Sequence, residues 1–205
     1  MGAGLLAACG NGATRRESVA QRSAARPDLY QCEGSEGALE RNPAGLTNYA
    51  TIGSRPESGD PLLVSGRVYR LDGRTPAPNV IIYAYQTNAA GLYAGEVAGS
   101  EASRRHGRLR GWVRTGADGS YRFSTIKPAP YPGAKLPAHI HFTIVEPGRR
   151  SYWIDDIVFA GEFGVTSAYR DSLTNKGGDG ILSLSRSQSG VWSARRDIVL
   201  ERHPN

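Results

Sequence analysis

"AHIHFTIVEPGRRSYWIDDIVFAG", residues 138–161, carries the period that decides the fold. Ile140, Phe142 and Ile144 alternate with His139, His141 and Thr143, which is the two-residue repeat of a strand with one apolar face. Pro147-Gly148 then supplies a turn, and "YWIDDIVFAG" resumes an apolar, β-branched run. Strand, turn and strand are therefore expected here.

The same punctuation recurs on both sides. "LLVSGRVYRL" (62–71) alternates and ends in Asp72-Gly73, a hairpin signal, before "PNVIIYAYQT" (78–87). "RGWVRT" (110–115) and "SYRFSTI" (120–126) flank "GADG", which reads as a second hairpin, and "GILSLS" and "GVWSARRDIVL" close the chain. Short strands at regular spacing, with almost no helical period, predict an all-β protein. The expected architecture is an antiparallel two-sheet β-sandwich of about eight to nine strands with an irregular N-terminal tail. The 26 glycines and 12 prolines among 205 residues suit that turn-rich design.

Residues 1–60 read as a separate, polar stretch and residues 61–205 as the sandwich domain. Cys9 stands in "LLAACG", a small-residue run after leucines that is similar to the acylation site of bacterial lipoproteins. On that reading the protein is anchored by lipid at Cys9 in the cell envelope or is extracellular, and Cys32 is unpaired. Without it the protein is cytoplasmic. The two cysteines offer no zinc spacing, and no segment is apolar for long enough to span a membrane as a helix.

The net charge of +6 comes from 25 basic and 19 acidic side chains spread along the chain. No low-complexity basic arm exists, so a solvated surface is favoured over a nucleic-acid face. "RRHGRLRGWVR" (104–114) has one aromatic residue and leads into a strand, so it too reads as structural. His106 and His203 read as surface histidines.

On a strand, His139 and His141 project side by side, as two metal ligands would or as two half-buried histidines bonded to backbone would. Further ligands are available in Glu146, Asp155, Asp156 and Glu162, and in Tyr93 and Tyr131. Tyr131 is held between two prolines in "APYPG", and Tyr93 lies among small residues in "AAGLYAG". A phenol with a pKa of about 10 is a poor ligand for zinc at neutral pH. A trivalent ion can hold it as tyrosinate, so tyrosine with histidine would point to ferric iron.

"GADGSYRFSTIKPAPYPGAKLPAHIHF", together with "GRVYRLDGRTPAPNVIIYAYQTNAAGLYAG", resembles the core of the intradiol ring-cleavage dioxygenases, whose members include protocatechuate 3,4-dioxygenase and catechol 1,2-dioxygenase. The resemblance runs from about residue 62 to 161. It implies a non-haem Fe³⁺ held by Tyr93, Tyr131, His139 and His141, with a hydroxide in the fifth position. It further implies that Tyr131 is the ligand displaced by a catechol-type substrate, that O₂ is the co-substrate, and that a homo-oligomer forms.

Two positions depart from the family pattern. Leu136 stands where an arginine is usual, with Lys135 before it, and Asp156 stands where protocatechuate 3,4-dioxygenase has a glutamine. A negative charge at Asp156 is expected to disfavour a carboxylated catechol. Loss of the arginine keeps a second reading open, a cell-envelope metal- or catechol-binding module with impaired turnover.

Overall fold

The computed structural model describes residues 28–30, 35–53, 56–93, 95 and 100–204. Cys9, Cys32 and the lipoprotein-like run lie outside them. Among the described residues there are eleven strands in two sheets. One sheet contains β1 (Tyr49–Thr51), β2 (Pro61–Tyr69), β5 (Ser120–Ile126), β9 (Ser185–Arg186), β10 (Trp192–Arg195) and β11 (Ile198–Val199). The other contains β3 (Ile81–Gln86), β4 (Arg110–Arg114), β6 (His139–Val145), β7 (Tyr152–Phe159) and β8 (Ile181–Leu182). Two short helices, α1 (Glu101–His106) and α2 (Ser167–Ser172), lie in the connections. No described helix is long and apolar enough to cross a membrane.

The all-β two-sheet sandwich is as expected, with more strands and a mixed pairing. Central ladders such as β2–β5, β3–β6 and β6–β7 are antiparallel. Parallel pairs join β1 to β5, β10 and β11 to β2, and β8 to β7. "GILSLS" serves both sheets, because β8 joins β7 and β9 joins β10.

The turns expected at Asp72-Gly73 and 116–119 form, but the long strands on either side of each do not pair with one another. Across the first, only a short antiparallel bridge joins Tyr69 to Pro76, with the Arg70 amide donating to the Thr75 carbonyl at 2.8 Å. Asp72 accepts hydrogen bonds from the Arg74 and Thr75 amides at 2.9 Å and from the Thr75 hydroxyl at 2.6 Å. Yet β2 pairs with β5, and β3 with β4 and β6. Each turn therefore carries the chain from one sheet to the other. Turn chemistry is local, whereas the pairing partner is chosen by burial across the sandwich. At 147–148, by contrast, β6 and β7 do pair.

Between the sheets, Leu62, Val64, Phe123, Ile82, Ile140, Phe142, Ile154 and Ile157 form one continuous core. A second, smaller cluster of Ala38, Ile81, Tyr83, Trp112 and Val145 covers part of the other face of the β3–β6 sheet. Ala38 comes from the stretch before residue 61, as do Ile52 in the main core and the strand β1. That outer face carries His139 and His141 at its far end.

Candidate metal centre

β6 splits cleanly by face. Ile140 and Phe142 are buried in the main core, while His139 and His141 emerge on the opposite side. His139 is 8 % exposed, and the His141 side chain is 24 % exposed.

Two loops bring the tyrosines to them. Tyr93 ends a tight turn in which the Asn88 side chain accepts from the Ala90 and Leu92 amides, at 2.9 and 3.0 Å. Tyr131 lies in the proline-rich segment before β6. The two loops are laced together: the Thr87 hydroxyl donates to the Ala129 carbonyl at 2.7 Å, and the Ala129 amide donates to the Asn88 carbonyl at 3.1 Å. Gly91, at φ 76°, lies so close to the second loop that a Cβ there would stand 2.0 Å from the Pro130 carbonyl oxygen. Only glycine meets both demands. The small residues around Tyr93 thus serve the approach of one tyrosine loop to the other.

The four side chains converge. The hydroxyls of Tyr93 and Tyr131 are 2.5 Å apart, and Tyr93 is 3.1 Å from His141 Nε2. Tyr131 is 3.2 Å from His139 Nε2, and the two Nε2 atoms are 3.1 Å apart. The other ring nitrogens face away: His139 Nδ1 donates to the Pro137 carbonyl at 2.8 Å and His141 Nδ1 donates to Asp156 Oδ1 at 2.9 Å. Both acceptors demand a proton on Nδ1, which leaves a lone pair on each Nε2.

This donor set fits a metal ion. First-row ions sit about 2.0–2.2 Å from nitrogen and oxygen ligands, so neighbouring ligand atoms are spaced by about 3 Å. Two phenolic protons serve four converging atoms, and the contact between the two Nε2 lone pairs has no proton of its own. A cation between them removes that repulsion.

Electrostatics point the same way. Burial, followed by the neighbouring Tyr131, pushes the Tyr93 phenol far above its ordinary pKa, and burial raises Tyr131 as well. Burial, with the neighbouring His141, lowers the His139 pKa and keeps its ring neutral. Burial works against the charge of Asp156, but its place beside His141, with the hydrogen bond from Nδ1, holds the carboxyl below its ordinary value. The phenols therefore ionise here only if a strongly charged ion compensates them.

The sequence-based candidates divide clearly. Tyr93, Tyr131, His139 and His141 come together, with Asp156 behind His141. Among the other carboxylates, Glu146 is engaged by Tyr152 and His203 at 2.9 and 2.7 Å, Glu162 by Lys127 at 2.7 Å, and Asp155 by Thr174 at 2.6 Å. Leu136 is half exposed and brings no charge to its position.

His106 and His203 are not surface histidines. His106 is buried, shares a 2.8 Å hydrogen bond with the Tyr83 hydroxyl and stacks on Tyr85 with ring centroids 3.7 Å apart. Tyr85 in turn stacks on His141 at 4.3 Å, because β3 and β6 pair the two residues directly. His203 lies between Tyr30 and Glu146. The partners of both histidines are remote in sequence, and no local signal revealed them. In the arginine-rich stretch, Arg108 and Arg110 form ion pairs with Glu57 and Glu40.

A family model described as Dioxygenase matches residues 40–189. The protocatechuate 3,4-dioxygenase beta chain of Burkholderia cepacia is 35 % identical over 171 residues, covering 76 % of this chain and 70 % of that one. The 6-chlorohydroxyquinol 1,2-dioxygenase of Cupriavidus pinatubonensis is 28 % identical over 155 residues, covering 68 % of this chain and half of that protein's length, 50 %. Among solved structures, the dioxygenase domain of a dioxygenase carbohydrate-binding protein fusion from Streptomyces sp. SirexAA-E superposes with a TM-score of 0.56 and 27 % identity. It covers 74 % of this chain and 86 % of that one. Matched motifs, matched fold and a converging Tyr₂His₂ cluster agree, and the chain belongs to the intradiol ring-cleavage dioxygenase family.

Proposed function

We propose that this enzyme is a non-haem Fe³⁺ dioxygenase that opens the ring of a catechol-type aromatic between its two hydroxylated carbons. O₂ is the co-substrate and a cis,cis-muconate-type diacid the product. The observation that carries the reading is the convergence of Tyr93, Tyr131, His139 and His141 with both Nε2 lone pairs turned inward. Ferric iron, when bound, would lower the pKa of the catechol hydroxyls and draw electron density from the ring towards reaction with O₂.

The protein's own part is orientation and proton transfer. His139 and His141 are fixed by Pro137 and Asp156 and hold their lone pairs in place through turnover. By the family resemblance Tyr131 would be the displaceable ligand, and its phenolate oxygen would accept one of the catechol protons. The close approach of Gly91 to Pro130 sets how near the Tyr93 loop lies to the loop that carries Tyr131.

With Leu136 uncharged and Asp156 ionised beside His141, an uncharged catechol is the proposed substrate, in preference to a carboxylated one. Envelope anchoring through Cys9 and homo-oligomer formation are proposed on the sequence alone.

The test is oxygen uptake by the iron-loaded protein with catechol, hydroxyquinol and protocatechuate while the visible spectrum is recorded. Tyrosinate bound to Fe³⁺ should give a burgundy protein, a spectral shift with catechol, and uptake with a muconate-type product. A shift without uptake would favour the binding module that Leu136 keeps open. A protein that stays colourless after ferric loading would remove both.

A further inference from the structure

We propose that Asp156 is a positioning residue for the metal centre: its carboxylate selects the ring nitrogen that His141 presents and makes that nitrogen the stronger donor of the histidine pair. The proposal rests on the metal-binding reading above and goes beyond it, because that reading treats the two histidines alike, whereas one is backed by a backbone carbonyl and the other by a carboxylate.

The argument begins in the backbone. Across β6 and β7, His139 pairs with Val158 and Ile140 with Ile157, but Phe142 pairs with Ile154. Asp155 and Asp156 therefore both stand opposite His141, which makes a β-bulge. In a regular strand these neighbours would point to opposite faces. The bulge keeps Ile154 and Ile157 in the core and leaves Asp156 Oδ1 at 2.9 Å from His141 Nδ1.

The two carboxylates then separate in role. Asp155 accepts from the Thr174 hydroxyl at 2.6 Å, and its amide donates to the Lys176 carbonyl at 2.9 Å. Only Asp156 touches a histidine of the cluster.

His141 needs this contact. Tyr85 stacks on the ring with centroids 4.3 Å apart and planes 21° apart, which fixes the plane. Stacking does not distinguish a ring from the same ring flipped by a half turn. Asp156 does, because only Nδ1–H can donate to it. His139 receives the same service from the neutral Pro137 carbonyl at 2.8 Å. The pair is thus asymmetric, with one imidazole backed by a dipole and the other by a full negative charge. A charged acceptor strengthens the hydrogen bond from Nδ1–H, polarises the ring and increases the basicity of Nε2. The result favours a hard, highly charged ion.

Three variants separate the contributions. Asp156→Ala removes acceptor and charge, Asp156→Asn can keep the acceptor without the charge, and Asp155→Asn removes a neighbouring carboxylate that does not touch His141. In metal-free protein, ¹H–¹⁵N correlation spectra of the four histidine rings should show His141 as the Nδ1–H tautomer in the wild type. Asp156→Ala should give a tautomer mixture, and Asp155→Asn no change. On ferric titration, Asp156→Ala should bind iron about 10–100-fold more weakly. Asp156→Asn should move the tyrosinate-to-iron absorption band to longer wavelength, as a weaker histidine donor leaves a more acidic ion. Asp156→Asn is nearly isosteric and carries the test if Asp156→Ala does not fold.

An Nε2–H tautomer at His141 in the wild type would overturn the proposal. So would Asp156 variants with wild-type affinity and band position. If the wild type takes up no ferric iron, the dioxygenase reading falls, and the metal-free spectra still decide whether Asp156 orients His141.

Discussion

His139 and His141 face each other with Nε2 atoms 3.1 Å apart, a contact between two lone pairs that favours neither nitrogen unless a cation lies between them. Their i, i+2 spacing on a strand made the pair visible in the sequence, because period-2 geometry is local. Tyr93 and Tyr131 were legible as available ligands in their loops, but their joint role came only from the family resemblance, since the contact between them spans 38 residues and no spacing rule predicts it. The phenols also supply a prediction. Tyr93→Phe and Tyr131→Phe should each leave the ferric protein with a weakened visible band, and the double variant should have none. Absorption spectra of the three loaded proteins check this. A band surviving in the double variant would show that another phenol, Tyr85 being closest to His141 in the stack, gives the colour. Asp72 gives a prediction remote from the site. Its hydrogen bonds from Thr75 and Arg74 hold its pKa at about 2 against 3.8 in an unfolded chain. A carboxylate lowered in this way stabilises the fold above the unfolded value and loses that contribution as pH falls through the folded one. The stability difference between wild type and Asp72→Ala should therefore be constant above about pH 4 and shrink between about pH 4 and 2. Chemical denaturation across that range measures it.

At the scale of elements, turns and strands were legible but their partners were not. Asp72-Gly73 and 116–119 turn as their residues dictate, yet each connects two sheets, because β2 finds β5 and β3 finds β4 and β6. The bulge at Asp155–Asp156 was equally hidden. Strict alternation along "YWIDDIVF" would separate the two acids, and only pairing with β6 shows that they share one position. The small residues around Tyr93 were readable in the sequence, and the structure shows what they admit, the Pro130 carbonyl beside Gly91. Gly91→Ala should therefore separate the two tyrosine loops while leaving the sheets intact. A displacement of about 1 Å in a catalytic group can cost about 10²-fold in rate, so ring-cleavage activity should fall by about that factor with an unchanged far-ultraviolet circular dichroism spectrum. Wild-type turnover in this variant would show that the loops move independently of each other.

Over the whole molecule, one strand does two jobs. The inner face of β6 carries Ile140, Phe142 and Ile144 into the main core, and its outer face carries the two histidines. Alternation therefore builds the site into the stability of the sandwich, while the tyrosines come from loops and can move without cost to the core. Phe142 is 1 % exposed, with Tyr121 and Phe123 ring centroids at 6.0 and 5.6 Å. Phe142→Ala empties that space, and the transfer and cavity terms together should cost about 3–5 kcal/mol. The backbone of β6 is held from both sides by β3 and β7, so the histidines should keep their places in whatever fraction remains folded. The expected outcome is a lower denaturation midpoint with an unchanged ferric absorption band per folded molecule. Parallel denaturation curves and iron titrations at low temperature would test this. A band that shifts along with the loss of stability would show instead that core packing under the strand, and not only the Pro137 and Asp156 contacts, sets the geometry of the metal centre.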